Sequence, residues 1–193
     1  MQNNTNYVKV TFKQNNQSSH STYQIKNDDI IFKDYETPYY AQQINDNQIK
    51  FTFFDCWLEE QTQKEIDAVP SIDINLIPRL YIITLSYQKN QTISSPNTMS
   101  ILMNISLNSD KPAYIRSVFS KNTYIEIASP SSNNKYLISN HSTFTLNVFD
   151  VKKLYNKTVS VELDIYKDSL YTKKIGTILF PIVIIYSSNP AVD

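Results

Sequence analysis

The sequence predicts an all-β protein, a two-sheet β-sandwich with one short helix in a connection. Two observations predict it. Apolar residues recur at every second position in about ten segments, as in strands with one buried face. Only one segment has a helical pattern, and strands do not alternate with helices. We expect a flexible polar tail over residues 1–6 and a single sandwich domain over residues 7–193.

The N-terminal third alternates between short apolar patterns and polar stretches. Val8, Val10 and Phe12 alternate with Lys9 and Thr11, which is typical of a half-buried strand. A hairpin is expected across residues 26–29, since Asn and Asp are good turn formers. We predict strands at Tyr7–Lys13, Thr22–Ile25, Ile30–Phe32 and Gln48–Phe54, and a polar loop at Gln14–Ser21.

The predicted helix is Cys56–Ala68, where Trp57, Leu58 and Ile66 interrupt a run of Glu, Gln and Lys. Val69 and Pro70 are expected to end it, because the residue before a proline avoids the helical conformation. A strand begins at Ile72, and we expect Pro78 to break it before the pattern resumes at Leu80.

The remaining chain has a regular strand pattern separated by polar loops at Gln88–Asn97 and Ser129–Lys135. The last strand is apolar almost throughout, which predicts cover on both faces or a subunit contact. The predicted strands are Leu80–Tyr87, Met99–Leu107, Ala113–Val118, Tyr124–Ala128, Phe144–Val148, Val159–Ile165 and Ile178–Tyr186.

Composition excludes several classes of function. Lys plus Arg and Asp plus Glu each number 18, so the formal net charge is zero, which argues against a general nucleic-acid binder and permits self-association. Cys56 is the single cysteine, so no internal disulfide forms. The polar N-terminus predicts no signal peptide, and no apolar run is long enough for a membrane span. We therefore expect synthesis in the cytoplasm.

The sequence predicts no catalytic, cofactor-binding or metal-ligating residue, and no cofactor. His20 and His141 lie in Ser- and Asn-rich stretches without a nucleophile motif, which favours exposed loop histidines. Cys56 beside Trp57 is interpreted as a small buried hydrophobe. Three scattered Cys and His residues do not form a zinc site, and a single glycine cannot form a phosphate loop.

The paired carboxylates have structural interpretations as well. Asp28–Asp29 fits a turn and Glu59–Glu60 a helix surface, although a glycosidase pair stays open as an alternative. The 14 tyrosines favour core and interface positions over a ligand platform. We therefore do not expect an enzyme.

Four segments in order resemble the single jelly-roll penton or minor capsid proteins of virophages and related double jelly-roll DNA viruses. In that family a strand meets an Ile-Arg-Ser-like step, as at Ile115–Ser117, and a later strand ends in Asp, as at Asp150. Residues 151–153 depart from the glycine that these turns often carry. The segments are Pro78–Leu85, Tyr114–Ser117, Ser142–Asp150 and Thr158–Ile165. The resemblance implies an eight-stranded jelly roll and a pentamer at a capsid vertex, beside other capsid proteins of the virion.

A second resemblance covers Glu162–Asp168 and Ile175–Ile182, which are similar to the closing strands of the calcium- and lipid-binding sandwich of synaptotagmins. That family needs several loop aspartates, because calcium takes six to eight oxygen ligands. Here Lys167 and Lys173–Lys174 occupy the loop and Asp168 stands nearly alone, so calcium binding is not expected.

Two functions follow from these patterns. The first is a non-enzymatic structural protein, a capsid component that packs against copies of itself. The alternative is a sandwich module that binds lipid or glycan. Neither involves a reacting group gathered in a cleft.

Overall fold

The structure is a computed structural model that describes residues 7–14, 16–24, 40–66, 70–93, 98–117, 124–128 and 135–186. Its contacts divide the chain into two compact units, residues 1–39 with 53–81 and residues 40–52 with 82–193. The single domain expected over residues 7–193 stays a prediction, and the predicted tail, residues 1–6, lies outside the described residues.

Strands make up most of the described residues, and the one helix among them is a 3₁₀ turn at Val151–Leu154. The all-β sandwich prediction is therefore confirmed. The strands are β1 (Tyr7–Gln14), β2 (Gln17–Gln24), β3 (Tyr40–Asn45), β4 (Gln48–Glu59), β5 (Glu65–Ile66), β6 (Ile74–Tyr87), β7 (Asn90–Ile93), β8 (Thr98–Asn108), β9 (Ala113–Ser117), β10 (Ile125–Ala128), β11 (Lys135–Ile138), β12 (Ser142–Phe149), β13 (Lys157–Tyr166) and β14 (Lys174–Tyr186).

The first unit contains β1, β2, β5, residues 53–59 of β4 and residues 74–81 of β6. β2 pairs antiparallel with the whole of β1, and β1 runs parallel to β6. Phe12 packs its ring against Trp57, with centroids 5.0 Å apart. The buried cluster consists of Val8, Val10, Phe12, Trp57, Ile74 and Leu76. The alternation of β1 therefore produces its one buried face.

The helix predicted at Cys56–Ala68 is wrong over its described part. Cys56–Glu59 completes β4, the chain turns, and β5 returns with Ile66 opposite Trp57. The backbone N–H of Gln63 donates to the backbone carbonyl of Glu59 at 2.8 Å, and Gln63 takes the left-handed conformation that the turn requires. Burial of Trp57 in the strand core outweighs the helix propensity of the polar run.

The polar loop predicted at Gln14–Ser21 is also wrong, because the chain reverses at Asn16 and continues as β2. An exposed strand does not need apolar residues, so its pattern resembles a loop. The expected hairpin strand Ile30–Phe32 and its turn lie outside the described residues.

The sequence predicted that Pro78 would break the strand. This prediction is wrong, because β6 continues through Pro78. β6 pairs with β1 at Ile74–Leu76 and with β8 from Ile82 onward, so Pro78 lies in neither register. Its missing N–H therefore removes no hydrogen bond to either strand.

The second unit contains two sheets. In one, β10, β12, β8 and residues 82–87 of β6 lie in that order, and β3 pairs with residues 48–52 of β4. The other has the order β11-β9-β13-β14-β7. With β6, β8, β9, β10, β12, β13 and β14 taken as A to G, these orders are A-B-E-D and C-F-G. That is the Greek key of an immunoglobulin-like sandwich, and it differs from the two four-stranded sheets of a jelly roll.

The core of the second unit lies between these two sheets. Tyr87 of β6 contacts Phe180 of β14, with ring centroids 5.1 Å apart. Val151 and Leu154 of the 3₁₀ turn are buried as well. The predicted strands of this unit are present. β7 lies within the predicted loop Gln88–Asn97, and β11 lies where no strand was predicted, because four-residue strands carry little periodic signal.

With a single glycine in the chain, other residues take the left-handed conformation. Asn16, Asp150 and Asn156 do so, as expected of Asn and Asp. Gln63 and Tyr171 do so too, which the sequence did not indicate.

Candidate functional site

The histidines and the cysteine that the sequence singled out do not form a reacting cluster. His20 is exposed in β2 opposite Thr11, a strand position and not the expected loop. His141 is exposed just before β12, and Cys56 is half-buried in β4. Within the described part of the chain, no three His, Cys, Asp or Glu residues lie close enough to hold a metal ion.

The acidic pair Glu59–Glu60 lies at the end of β4 and in the following turn, not on a helix. Glu60 accepts hydrogen bonds from Lys13 at 2.5 Å and Asn75 at 3.2 Å. The bond from Lys13 lowers the pKa of Glu60, whereas a general acid needs a raised pKa. Asp28–Asp29 lies outside the described residues.

Asp168 orders the loop between β13 and β14. Its carboxylate accepts the backbone N–H groups of Leu170 at 3.0 Å, Thr172 at 3.1 Å and Lys173 at 2.6 Å, and the Thr172 hydroxyl at 3.1 Å. Although burial alone would raise the pKa of Asp168, these bonds lower it. Both oxygens serve the loop, which leaves little ligand capacity for a cation.

Tyrosines occupy both cores and surfaces. Tyr81 and Tyr87 are buried. Tyr171 contacts Tyr114 and Tyr166, with ring centroids 5.9 Å and 5.2 Å apart. These half-buried rings pack edge to face against one another, so they do not form a flat stacking platform.

The outer face of β14 is an apolar surface of the second unit. The residues Ile178, Phe180, Ile182 and Ile184 point into the core, so the alternate positions point outward. Leu179 is 54% exposed and Ile185 is 37% exposed. We name the outward residues Leu179, Pro181, Val183 and Ile185 the β14 stripe.

Uncharged residues border most of the β14 stripe. Ser160 lies opposite Pro181 and Thr158 opposite Val183 on β13. On the other side β7 runs parallel, with Asn90 beside Val183 and Thr92 beside Ile185. Glu162 lies opposite Leu179, so the rim has one acidic residue at that end. An apolar centre with a polar rim is typical of a protein contact surface.

A second surface of this unit is polar. The outer faces of β6, β8 and β12 share a cleft of about 430 Å³, which we name the polar cleft. The strand registers place Ser86 beside Asn104 and Asn104 beside Thr143, which makes one row across three strands. The described lining residues are Gln48, Thr84, Ser86, Asn104, Ile105, Ser106, His141, Ser142 and Thr143.

Hydrogen bonds hold these side chains in place. The side-chain amide of Gln48 donates to the Ser86 hydroxyl at 3.1 Å. The Thr143 hydroxyl donates to the side-chain oxygen of Asn104 at 3.0 Å. His141 also lines a neighbouring hollow of about 560 Å³ beside Leu137. The polar cleft was not predicted. The sequence of each strand shows which of its own residues are polar, but the rows across the sheet depend on the register between strands.

Comparisons with known proteins add little to this geometry. Neither a scan against family models nor a search of curated proteins found a match. Among solved structures the chain is similar to the BIgI domain of beta protein from S. agalactiae bound to CEACAM1, with 17% identity and a TM-score of 0.33. The match covers 55% of this chain and 98% of that one. The fold assignment rests on the strand order alone. No helix in the described ranges is long and apolar enough to cross a membrane.

Proposed function

We propose that this chain is a non-enzymatic structural protein that assembles with copies of itself through the β14 stripe. The observation that carries the proposal is the apolar row on β14, where Leu179 and Ile185 are exposed and Pro181 and Val183 are half-buried, while the other face of the strand is already core. The sequence resemblance extends the proposal to a pentamer at a capsid vertex, beside other capsid proteins of the virion. The proposal itself rests on the β14 stripe, because the observed strand order is not that of a jelly roll.

The energetics set the required contact. Burial of a fully exposed leucine or valine side chain contributes about 1.5–3 kcal/mol, and Leu179 is about half exposed. Association costs about 4–15 kcal/mol in lost translational and rotational freedom. A stable contact therefore needs the stripe together with its polar rim, at about 800 Å² per partner.

A second copy suits this surface because the formal net charge is zero, so identical chains do not repel one another at long range. The hydroxyl groups of the rim, such as those of Thr158 and Thr92, can each donate and accept hydrogen bonds across a contact with another copy.

Size-exclusion chromatography with light scattering over a concentration series tests this proposal. We expect an oligomer that Leu179→Lys converts to a monomer, because the ammonium group would be buried in the contact. Leu170→Lys is the matched control, since Leu170 is 78% exposed in the loop before β14. A wild-type chain that stays monomeric at high concentration, or equal loss of assembly in both variants, would contradict the proposal.

The calcium-dependent lipid-binding alternative is less well supported. It depends on loop carboxylates with open coordination sites, and both carboxylate oxygens of Asp168 already accept hydrogen bonds from the loop backbone. Asp164, a nearby carboxylate on β13, forms an ion pair with Lys174 at 2.6 Å, so it is also not an open calcium ligand.

A further inference from the structure

We infer that the polar cleft binds a neutral oligosaccharide. The inference goes beyond self-assembly, because the polar cleft lies on the sheet of β6, β8 and β12, whereas the β14 stripe lies on the other sheet. Three features carry it: the chemistry of the lining, its fixed geometry and its dimensions.

The lining consists almost entirely of hydroxyl and amide side chains. None of its described residues is Asp, Glu, Lys or Arg. Phosphorylated, sulfated or sialylated ligands would find no lysine or arginine there to offset their desolvation. Sugar hydroxyls both donate and accept hydrogen bonds, and Ser, Thr, Asn and Gln side chains do the same.

The side-chain pairs leave defined groups for a ligand. Asn104 accepts the Thr143 hydroxyl on its carbonyl oxygen, which leaves its amide N–H groups for a ligand acceptor. Ser86 accepts from Gln48, which leaves the Ser86 hydroxyl proton to donate. Because these groups sit on paired strands, binding costs little side-chain ordering.

The dimensions suit one or two sugar rings. The rows Ser86–Asn104–Thr143 and Thr84–Ser106 lie two residues apart along the strands, about 7 Å, and three strands span about 10 Å. The volume of about 430 Å³ falls within the usual range of ligand sites. Past His141, the neighbouring hollow is lined by Leu137, which is 50% exposed and can cover the C–H face of a further sugar. Asp110 and Lys111 also line this hollow, where they can accept from and donate to sugar hydroxyls.

Saturation-transfer NMR and calorimetry on the full chain test this inference. The ligands are maltohexaose, cellohexaose, mannohexaose and galactohexaose, with sialyllactose and a heparin hexasaccharide as charged comparators. We expect at least one neutral hexasaccharide to bind, and to bind more tightly than its disaccharide. Asn104→Ala should weaken that binding about 3- to 10-fold, as expected for one lost hydrogen bond.

Asn108→Ala is the matched control, because Asn108 is exposed on the same face of β8 and is not among the described lining residues. It should leave the affinity unchanged, and so should Leu179→Lys on the other sheet. The inference is overturned if none of the four neutral hexasaccharides binds at millimolar concentration. It is also overturned if a charged comparator binds more tightly, or if Asn104→Ala and Asn108→Ala have equal effects.

Discussion

Replacing Arg79 with Met should destabilise the first unit by about 3–5 kcal/mol, because it removes the cation from a buried ion pair. The Arg79 Nε donates to Asp55 Oδ2 at 2.6 Å, and the two side chains are 11% and 1% exposed. A second guanidinium nitrogen reaches Glu65 at 2.6 Å, and that carboxylate is 60% exposed. Although burial alone would lower the pKa of Arg79, the bonds to Glu65 and Asp55 raise it.

Urea unfolding followed by tryptophan fluorescence measures the loss. Trp57 is the single tryptophan and lies in the core of the first unit, so its emission reports that unit. With an m-value of about 2 kcal/mol/M, the midpoint of Arg79→Met should fall by about 2 M. The double variant Asp55→Asn with Arg79→Met should recover part of the loss, because neither charge is then buried.

Glu65→Gln is the control, and it should cost at most about 1 kcal/mol because the carboxylate is mostly exposed. If Arg79→Met shifts the midpoint no more than Glu65→Gln does, the buried pair is not what stabilises this unit and the reasoning is refuted.

Three further predictions follow. Phe180→Ala should lower the free energy of unfolding by about 3–5 kcal/mol and Leu179→Ala by far less, because Phe180 faces the core and Leu179 faces outward. Equal losses in urea unfolding would contradict this. Asp168→Ala should speed hydrogen exchange at the loop amides, and in the wild type the same protection should be lost as pH falls through the lowered pKa of Asp168. Lys13→Ala should return the pKa of Glu60 toward its usual value in an NMR titration; an unchanged value would exclude the bond.

The sequence could predict which face of each long strand is buried. Val159–Ile165 and Ile178–Tyr186 are strands, and their alternate residues line the core. This works because the period of two is a local property that burial of one face imposes on consecutive residues. Residues 17–21 of the polar strand β2 and the four-residue strands β7 and β11 escaped prediction. Those residues of β2 include no apolar side chain, and four residues carry little periodic signal.

The candidate surfaces were predictable only in part. The apolar character of β14 suggested either a buried strand or a subunit contact, and the structure gives the strand one core face and one exposed stripe. The polar cleft could not be inferred, because Ser86 and Asn104 become neighbours only through the register of β6 with β8. A one-residue slip would turn each side chain to the other face.

By itself, the sequence determined the all-β class, the buried faces of the long strands and the lack of net charge. Tertiary structure alone decided the immunoglobulin-like strand order, the conversion of the expected helix Cys56–Ala68 into the end of β4 and the short strand β5, and the pairing of Asp55 with Arg79. The physical reason is that alternation is fixed by neighbours along the chain, whereas strand partners are chosen by packing and loop closure between distant segments.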